Sequence, residues 1–170
     1  MNKILETDRL LLRELTEGDA AFMYELLNSD GWLKFIGDRN ISSVQDAKNH
    51  LLNNYIKMYE DHGFGLWAVV RKEDQVVIGT CGLIKRPSLP NIDIGFAFLP
   101  QYAGQGFAYE AAAATMNYGY SVIGTKKIVA ITIPENDRSI KLLTKIGLVH
   151  DVSATIPDDP KCILFVPRDR

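Results

Sequence analysis

The apolar positions change their period along the chain, and each change marks an element. Leu10-Leu11-Leu12, held between Asp8-Arg9 and Arg13, is a short apolar run bounded by charges and reads as a strand over 8–13. Thr16-Glu17-Gly18-Asp19 follows, where Thr16 suits the cap of a helix carrying Phe22, Met23, Leu26 and Leu27. Ser29 to Arg39 shows neither period and is expected to be irregular. Ser42 or Ser43 then opens a second helix, in which Ala47, Leu51, Leu52, Tyr55, Ile56 and Tyr59 recur at helical steps until His62-Gly63 ends it.

Beyond Gly63 the pattern is that of strands. Residues 64–70 and 76–84, joined by the polar Lys72-Glu73-Asp74-Gln75, predict an antiparallel hairpin, and Ile92 to Leu99 predicts a third sheet strand that stops at Pro100. A helix from about Gly104 to Val122 is dense in alanine, which permits close packing on a sheet. Lys127 to Ile133 is a β-branched strand of the buried kind, and Asn136 to Ile146 is a helix that Gly147 closes. Val149 to Ala154 and Cys162 to Val166 are expected as edge strands. No repeat or low-complexity tract divides the chain, so the expectation is one domain over 1–170. Its fold class is α+β with mixed α/β character: a central mixed, mostly antiparallel twisted sheet with helices on both faces.

Composition narrows the function classes. The chain has 170 residues, a formal net charge of -2 and interspersed acids and bases, which offers no basic face for nucleic acid and no polybasic patch for a membrane surface. No stretch approaches the roughly 20 apolar residues of a membrane span, and Met1 to Glu6 lacks the apolar core of a signal peptide, so a cytoplasmic location is expected. Cys81 and Cys162 lie far apart in apolar surroundings and read as buried free thiols. His50, His62 and His150 have no partners at metal or triad spacing and read as surface or loop residues; no metal is expected.

Candidate chemistry begins at Pro100-Gln101-Tyr102-Ala103-Gly104-Gln105-Gly106-Phe107-Ala108. A strand, a short loop with paired glycines and a helix start place unpaired N–H groups at a positive dipole end, where a phosphate is held well. A tight structural turn accounts for the same residues. A P-loop needs Lys and Ser/Thr after the second glycine, where Phe107 and Ala108 stand, and a dinucleotide fingerprint needs a small residue where Tyr109 stands.

With the rest of the chain, these residues resemble the GNAT-type N-acetyltransferases, in particular the branch with the ribosomal-protein alanine N-acetyltransferases and spermidine N-acetyltransferases. The glycine motif matches that family's Gln/Arg-x-x-Gly-x-Gly/Ala. Thr7 to Leu15, Ile78-Gly79, Ile92 to Phe96, Gly106 to Ala111, and Pro134-Glu135-Asn136-Asp137-Arg138-Ser139 through Lys145-Ile146-Gly147 follow in the family's order. The resemblance implies the GNAT acyltransferase fold and acetyl-coenzyme A (acetyl-CoA) as co-substrate. It implies that the pantetheine arm pairs with backbone groups of Phe96, Ala97 and Phe98, and that the diphosphate takes the amides of Ala103, Gly104, Gln105, Gly106, Phe107 and Ala108. Asn136 and Ser139 are implied to face the sulfur end.

Acetyl transfer to an amine requires a neutral amine and a polarised carbonyl. Asp93 stands where this branch often has an acid and is the candidate base; a solvated strand carboxylate is the other reading. Asn136 alone reads as a helix N-cap. The family's usual tyrosine seven residues after that asparagine is Leu143 here, which leaves Ser139 or solvent to protonate the thiolate. Leu148 replaces a usual phenylalanine and is expected in the core. The acceptor, a protein N-terminus or a small amine, is expected against the N-terminal helices near Trp32, Phe35, Asp38 and Arg39. A sensor or scaffold that binds acyl-CoA without turnover is the alternative function, and the oligomeric state, homodimer included, is open.

Overall fold

A computed structural model describes residues 2–168. Its sheet runs in the order β1 (Lys3–Glu6), β2 (Leu10–Arg13), β3 (Leu66–Arg71), β4 (Val76–Ile84), β5 (Ile92–Phe98), β6 (Ile128–Thr132), β8 (Ile163–Pro167), β7 (Leu148–His150). Every neighbouring pair is antiparallel except β5 and β6. The hairpin of β3 and β4 is the expected one, whereas the first strand begins only at Leu10 and the preceding β1 escapes a reading by hydrophobic period. β8 is not an edge strand: it slots between β6 and β7, and the strand expected over 149–154 shortens to β7 before turning away.

Both faces of the sheet are covered. In β3, Leu66 and Ala68 pack on one side and Trp67 and Val69 on the other, so the strand reads as a continuous apolar run rather than an alternating one. β4 changes parity: the register skips from Val69↔Gly79 to Val70↔Val77, and this bulge puts Ile78 on the same side as Cys81 and Leu83. That side is covered by α5 (Phe107–Tyr118) through Phe107, Ala111, Ala112 and Met116, and by Leu143 of α6 (Asp137–Lys145). The alanines let α5 approach closely.

The opposite face is covered by α1 (Ala20–Leu27), α2 (Asp30–Phe35) and one long helix made of α3 (Val44–His50), a π turn over Leu51–Ile56 and α4 (Lys57–His62). Ser43 is the cap of α3, accepting the Asp46 amide at 3.0 Å, and Gly63 ends α4 in the left-handed conformation at φ 74°. α2 lies inside the segment expected to be irregular. Its Trp32 supplies the anchoring contact that its sequence period does not advertise. A short 3-10 turn, Glu17–Asp19, separates Thr16 from α1. There Asp19 accepts both Nη groups of Arg13 at 2.8 Å and the Thr16 amide at 2.8 Å. Burial raises the Asp19 carboxyl, but the Arg13 fork and the Thr16 amide outweigh it, and the group sits below the ordinary carboxylate value. No helix among the described residues is long and apolar enough to cross a membrane.

Candidate active site

The cleft arises where β5 and β6 part. Their parallel pairing covers Ile92↔Ile128 and Asp93↔Val129 only; then β6 pairs on its far side with β8, from Ala130↔Phe165 onward. Beyond Asp93 the β6-facing edge of β5 opens onto a cavity of about 210 Å³. Asp93 to Ala97 form one wall, Ile131 to Ile133 with Asn136, Ser139 and Leu143 the other, and Trp32, Phe35, Ile36 and Arg39 close it from the helical side. An open strand edge presents backbone N–H and C=O groups to an extended amide-bearing chain, as in strand addition.

Asp93 sits at the closed end of this cleft and is 1% exposed, so it is not the solvated strand carboxylate allowed by its alternation. Both its oxygens accept Arg86 Nε, at 3.1 and 3.0 Å. Burial pushes the Asp93 carboxyl above its ordinary value, and the Arg86 charge pulls against this without cancelling it. A buried carboxylate on a cavity wall, held with a raised proton affinity, has the make-up of a general base.

At the far end of β5, Leu99 leads through a 3-10 turn, Pro100–Tyr102, into the glycine loop. Gly104 and Gly106 both adopt left-handed φ, 76° and 82°, and the helix starts at Phe107 rather than near Gly104. Among the described residues, the amides of Gly104 to Tyr109 donate to no acceptor. The loop is thus a run of unpaired donors at a helix start, exposed at Gly104 to Gly106, which is the chemistry an anion needs.

The loop is fastened to the other end of the chain. Glu110 in the first turn of α5 accepts Thr7 Oγ1 at 2.6 Å, the Arg9 amide at 2.9 Å and Arg9 Nε at 2.7 Å. Arg9 also donates through Nη1 to the Gln105 carbonyl at 3.0 Å and lies over the Phe107 ring. Burial raises the Glu110 carboxyl, yet the Thr7 and Arg9 donors hold it below its ordinary value.

A family model described as acetyltransferase (GNAT) domain matches residues 9–149, which contain Asp93, the glycine loop and the Arg9–Glu110 pair. The chain belongs to the GNAT acetyltransferases. Among GNAT relatives, the uncharacterized N-acetyltransferase YoaA of Bacillus subtilis (strain 168) is 30% identical over 148 residues, covering 86% of this chain and 83% of that protein. The spermidine N(1)-acetyltransferase of Vibrio cholerae is 24% identical over 144 residues, covering 84% and 80%. In structure, RimL, a ribosomal L7/L12 alpha-N-protein acetyltransferase in complex with coenzyme A, superposes with a TM-score of 0.80 at 15% identity over 98% of this chain and 97% of that one.

Within this GNAT cavity the structure brings together Asp93, Phe96, Ala97, Asn136 and Ser139. Phe98 does not line this cavity, and its ring packs against the core on the α5 side of the sheet, which leaves the expectation for its backbone groups untouched. Asn136 is the N-cap of α6, its Oδ1 accepting the Ser139 amide at 3.2 Å, so the capping reading holds while both residues line the wall. Leu143 and Leu148 are buried, each 1% exposed. Trp32 is both a packing residue and a cavity wall, Arg39 lines the cavity, and Asp38 does not. Cys162 is not buried in the core as expected: it lines the cavity, and burial with Asp159 beside it pushes its thiol up to about 11. The histidines stand in α3, α4 and β7; His62 and His150 are exposed as a surface reading expects, His50 is half-buried, and none lines the cavity.

Arg86 and the Thr7–Arg9–Glu110 clamp carry roles that sequence reasoning did not assign. For Arg86 a signal existed: Ile84↔Asp93 closes the β4–β5 ladder, so a cation two residues past Ile84 falls beside that carboxylate.

Proposed function

We propose that this acetyltransferase moves the acetyl group of acetyl-CoA to a primary amine by direct attack. Asp93 is the base, and the diphosphate is held by the amides of Gly104 to Ala108; the expected Ala103 amide is not free for it, because it donates to the Pro100 carbonyl at 3.1 Å. The exposed, unpaired amides and the left-handed glycines fit that group, since a side chain at Gly104 or Gly106 would stand between a phosphate and the backbone. Acetyl-CoA supplies an activated thioester. The chain's residues position it and manage the proton.

The observation that carries this reading is a buried carboxylate of raised proton affinity on the wall of the cleft that β5 opens. The amine gives its proton to Asp93, directly or through water, and its nitrogen bonds the acetyl carbon as the carbon–sulfur bond breaks. Backbone N–H groups of β5 polarise the carbonyl. Direct attack rather than an acyl-enzyme is supported by the thiols: Cys162 on the cavity wall is raised to about 11 and Cys81 to about 12, so both stay protonated near neutrality and are weak nucleophiles. The acceptor is a protein N-terminus or a small amine, the kinds of acceptor that the names of RimL and the spermidine relative state for those proteins.

Release of thiol from acetyl-CoA across peptides, polyamines, amino acids and amino sugars tests the reading. Amine-dependent release that Asp93→Asn abolishes is the expected result. Binding of coenzyme A with no release for any amine points instead to a sensor or scaffold.

A further inference from the structure

The acceptor end of the cavity holds guanidinium groups that acetyl transfer alone leaves unused. Arg86 meets Asp93 through Nε only; its Nη1 and Nη2 donate to nothing among the described residues. Arg39, on the segment between α2 and α3, lines the same cavity, and its side chain likewise makes no hydrogen bond or ion pair among the described residues. The charges of both Arg39 and Arg86 reach the buried Tyr55 phenol, which burial pushes up to about 12 while the two guanidiniums pull against that rise.

The acids lining the cavity are Asp93, with both oxygens on Arg86, and Asp159, an exposed residue that accepts the Cys162 thiol at 3.2 Å through one oxygen and keeps its charge. A polyamine would bring further ammonium groups against these guanidiniums with no buried, unpaired carboxylate to receive them.

Resting on the acetyl-transfer reading, we propose that the acceptor is an amine carrying its own carboxylate a few bonds from the nitrogen, an α-amino acid being the simplest case. The geometry of one planar group supports this. With Nε turned to Asp93, the Nη1/Nη2 edge of Arg86 is free to take a carboxylate through parallel N–H bonds. Ammonium and carboxylate of one small molecule thereby meet the buried carboxylate and the part-exposed guanidinium of one ion pair. Arg39 adds a second positive charge, and Trp32, Phe35 and Ile36 present apolar surface to a side chain.

The test pairs leucine, methionine, phenylalanine and glutamate with their amides, beside spermidine, in thiol release from acetyl-CoA. At least one free amino acid is expected to exceed its amide in kcat/KM by about tenfold, the value of one lost charged hydrogen bond, with spermidine poorer still. The same amino acid raises the melting temperature of the coenzyme A complex, a readout independent of turnover. Arg39→Gln, at an exposed position where folding is not at risk, raises KM for that amino acid about tenfold with kcat within about twofold. An amide or spermidine used as well as every free amino acid, or an unchanged KM in Arg39→Gln, overturns the carboxylate proposal and leaves acetyl transfer standing. No release with any amine overturns both.

Discussion

The two ends of the cleft are made of opposite materials. At the Asp93 end the proposed groups are charged side chains, a buried carboxylate held by one ion pair to the part-exposed Arg86 of the neighbouring hairpin segment. At the glycine end they are backbone amides, exposed and uncharged, held by a clamp from residues about a hundred positions away. A buried charge of altered proton affinity suits a step in which a proton moves. A row of amides suits a group whose charge never changes. The difference also predicts that damage at one end is read mainly in rate and at the other mainly in affinity.

Asp93→Asn gives the largest effect: acetyl transfer falls by about a hundredfold or more, while the thermal shift produced by coenzyme A is kept. In the parent, the rate rises with pH through a midpoint above the ordinary carboxylate value of 3.8, because burial raises this group, and the variant loses that limb. Stability follows the same shift with the sign worked out. The folded chain binds the Asp93 proton more tightly than the unfolded chain, so stability declines as pH rises from about 3.8 through the raised folded value. Asp93→Asn removes that decline, and its melting temperature at neutral pH is at or above the parent's. A variant of unchanged rate–pH profile removes Asp93 from the mechanism.

Gly104→Val is next, and falls on affinity. At φ 76° a β-branched residue carries about 1–2 kcal/mol of strain and its branches crowd the amides, so coenzyme A binding weakens about tenfold or more in a thermal-shift titration. Equal shifts in variant and parent contradict the anion site. Glu110→Gln loosens the clamp without touching the loop itself: affinity drops about fivefold with kcat retained, a fraction of the charged hydrogen bonds lost to Thr7 and Arg9. Ser139→Ala is smallest. A thiolate whose conjugate acid has a pKa of about 8.5 departs with little assistance, and kcat changes by less than about threefold; a larger loss makes Ser139 the proton donor.

The comparison also explains what the sequence made legible. Gly104 and Gly106 stand out because a backbone requirement leaves its mark on a single residue type, and the β3–β4 hairpin stands out because its register is local. Arg86 beside Asp93 is legible only once the β4–β5 register is known, and the Arg9–Glu110 pair joins residues that no local pattern connects. The interior place of β8 is not legible because strand order is set by long-range pairing, here with β6 and β7, and β1 is not legible because its pattern is too short to show a period. Cys162 packs beside Leu164 and Val166, as its apolar surroundings suggest, and that its side chain also borders the cleft is not visible in its sequence neighbours.

The most direct test of the account is a crystal structure of the coenzyme A complex. It should show diphosphate oxygens within hydrogen-bonding distance of the amides between Gly104 and Ala108, pantetheine along the open edge of β5, and sulfur in the cavity that Asp93 borders. Coenzyme A bound elsewhere, with that edge and those amides untouched, would contradict it.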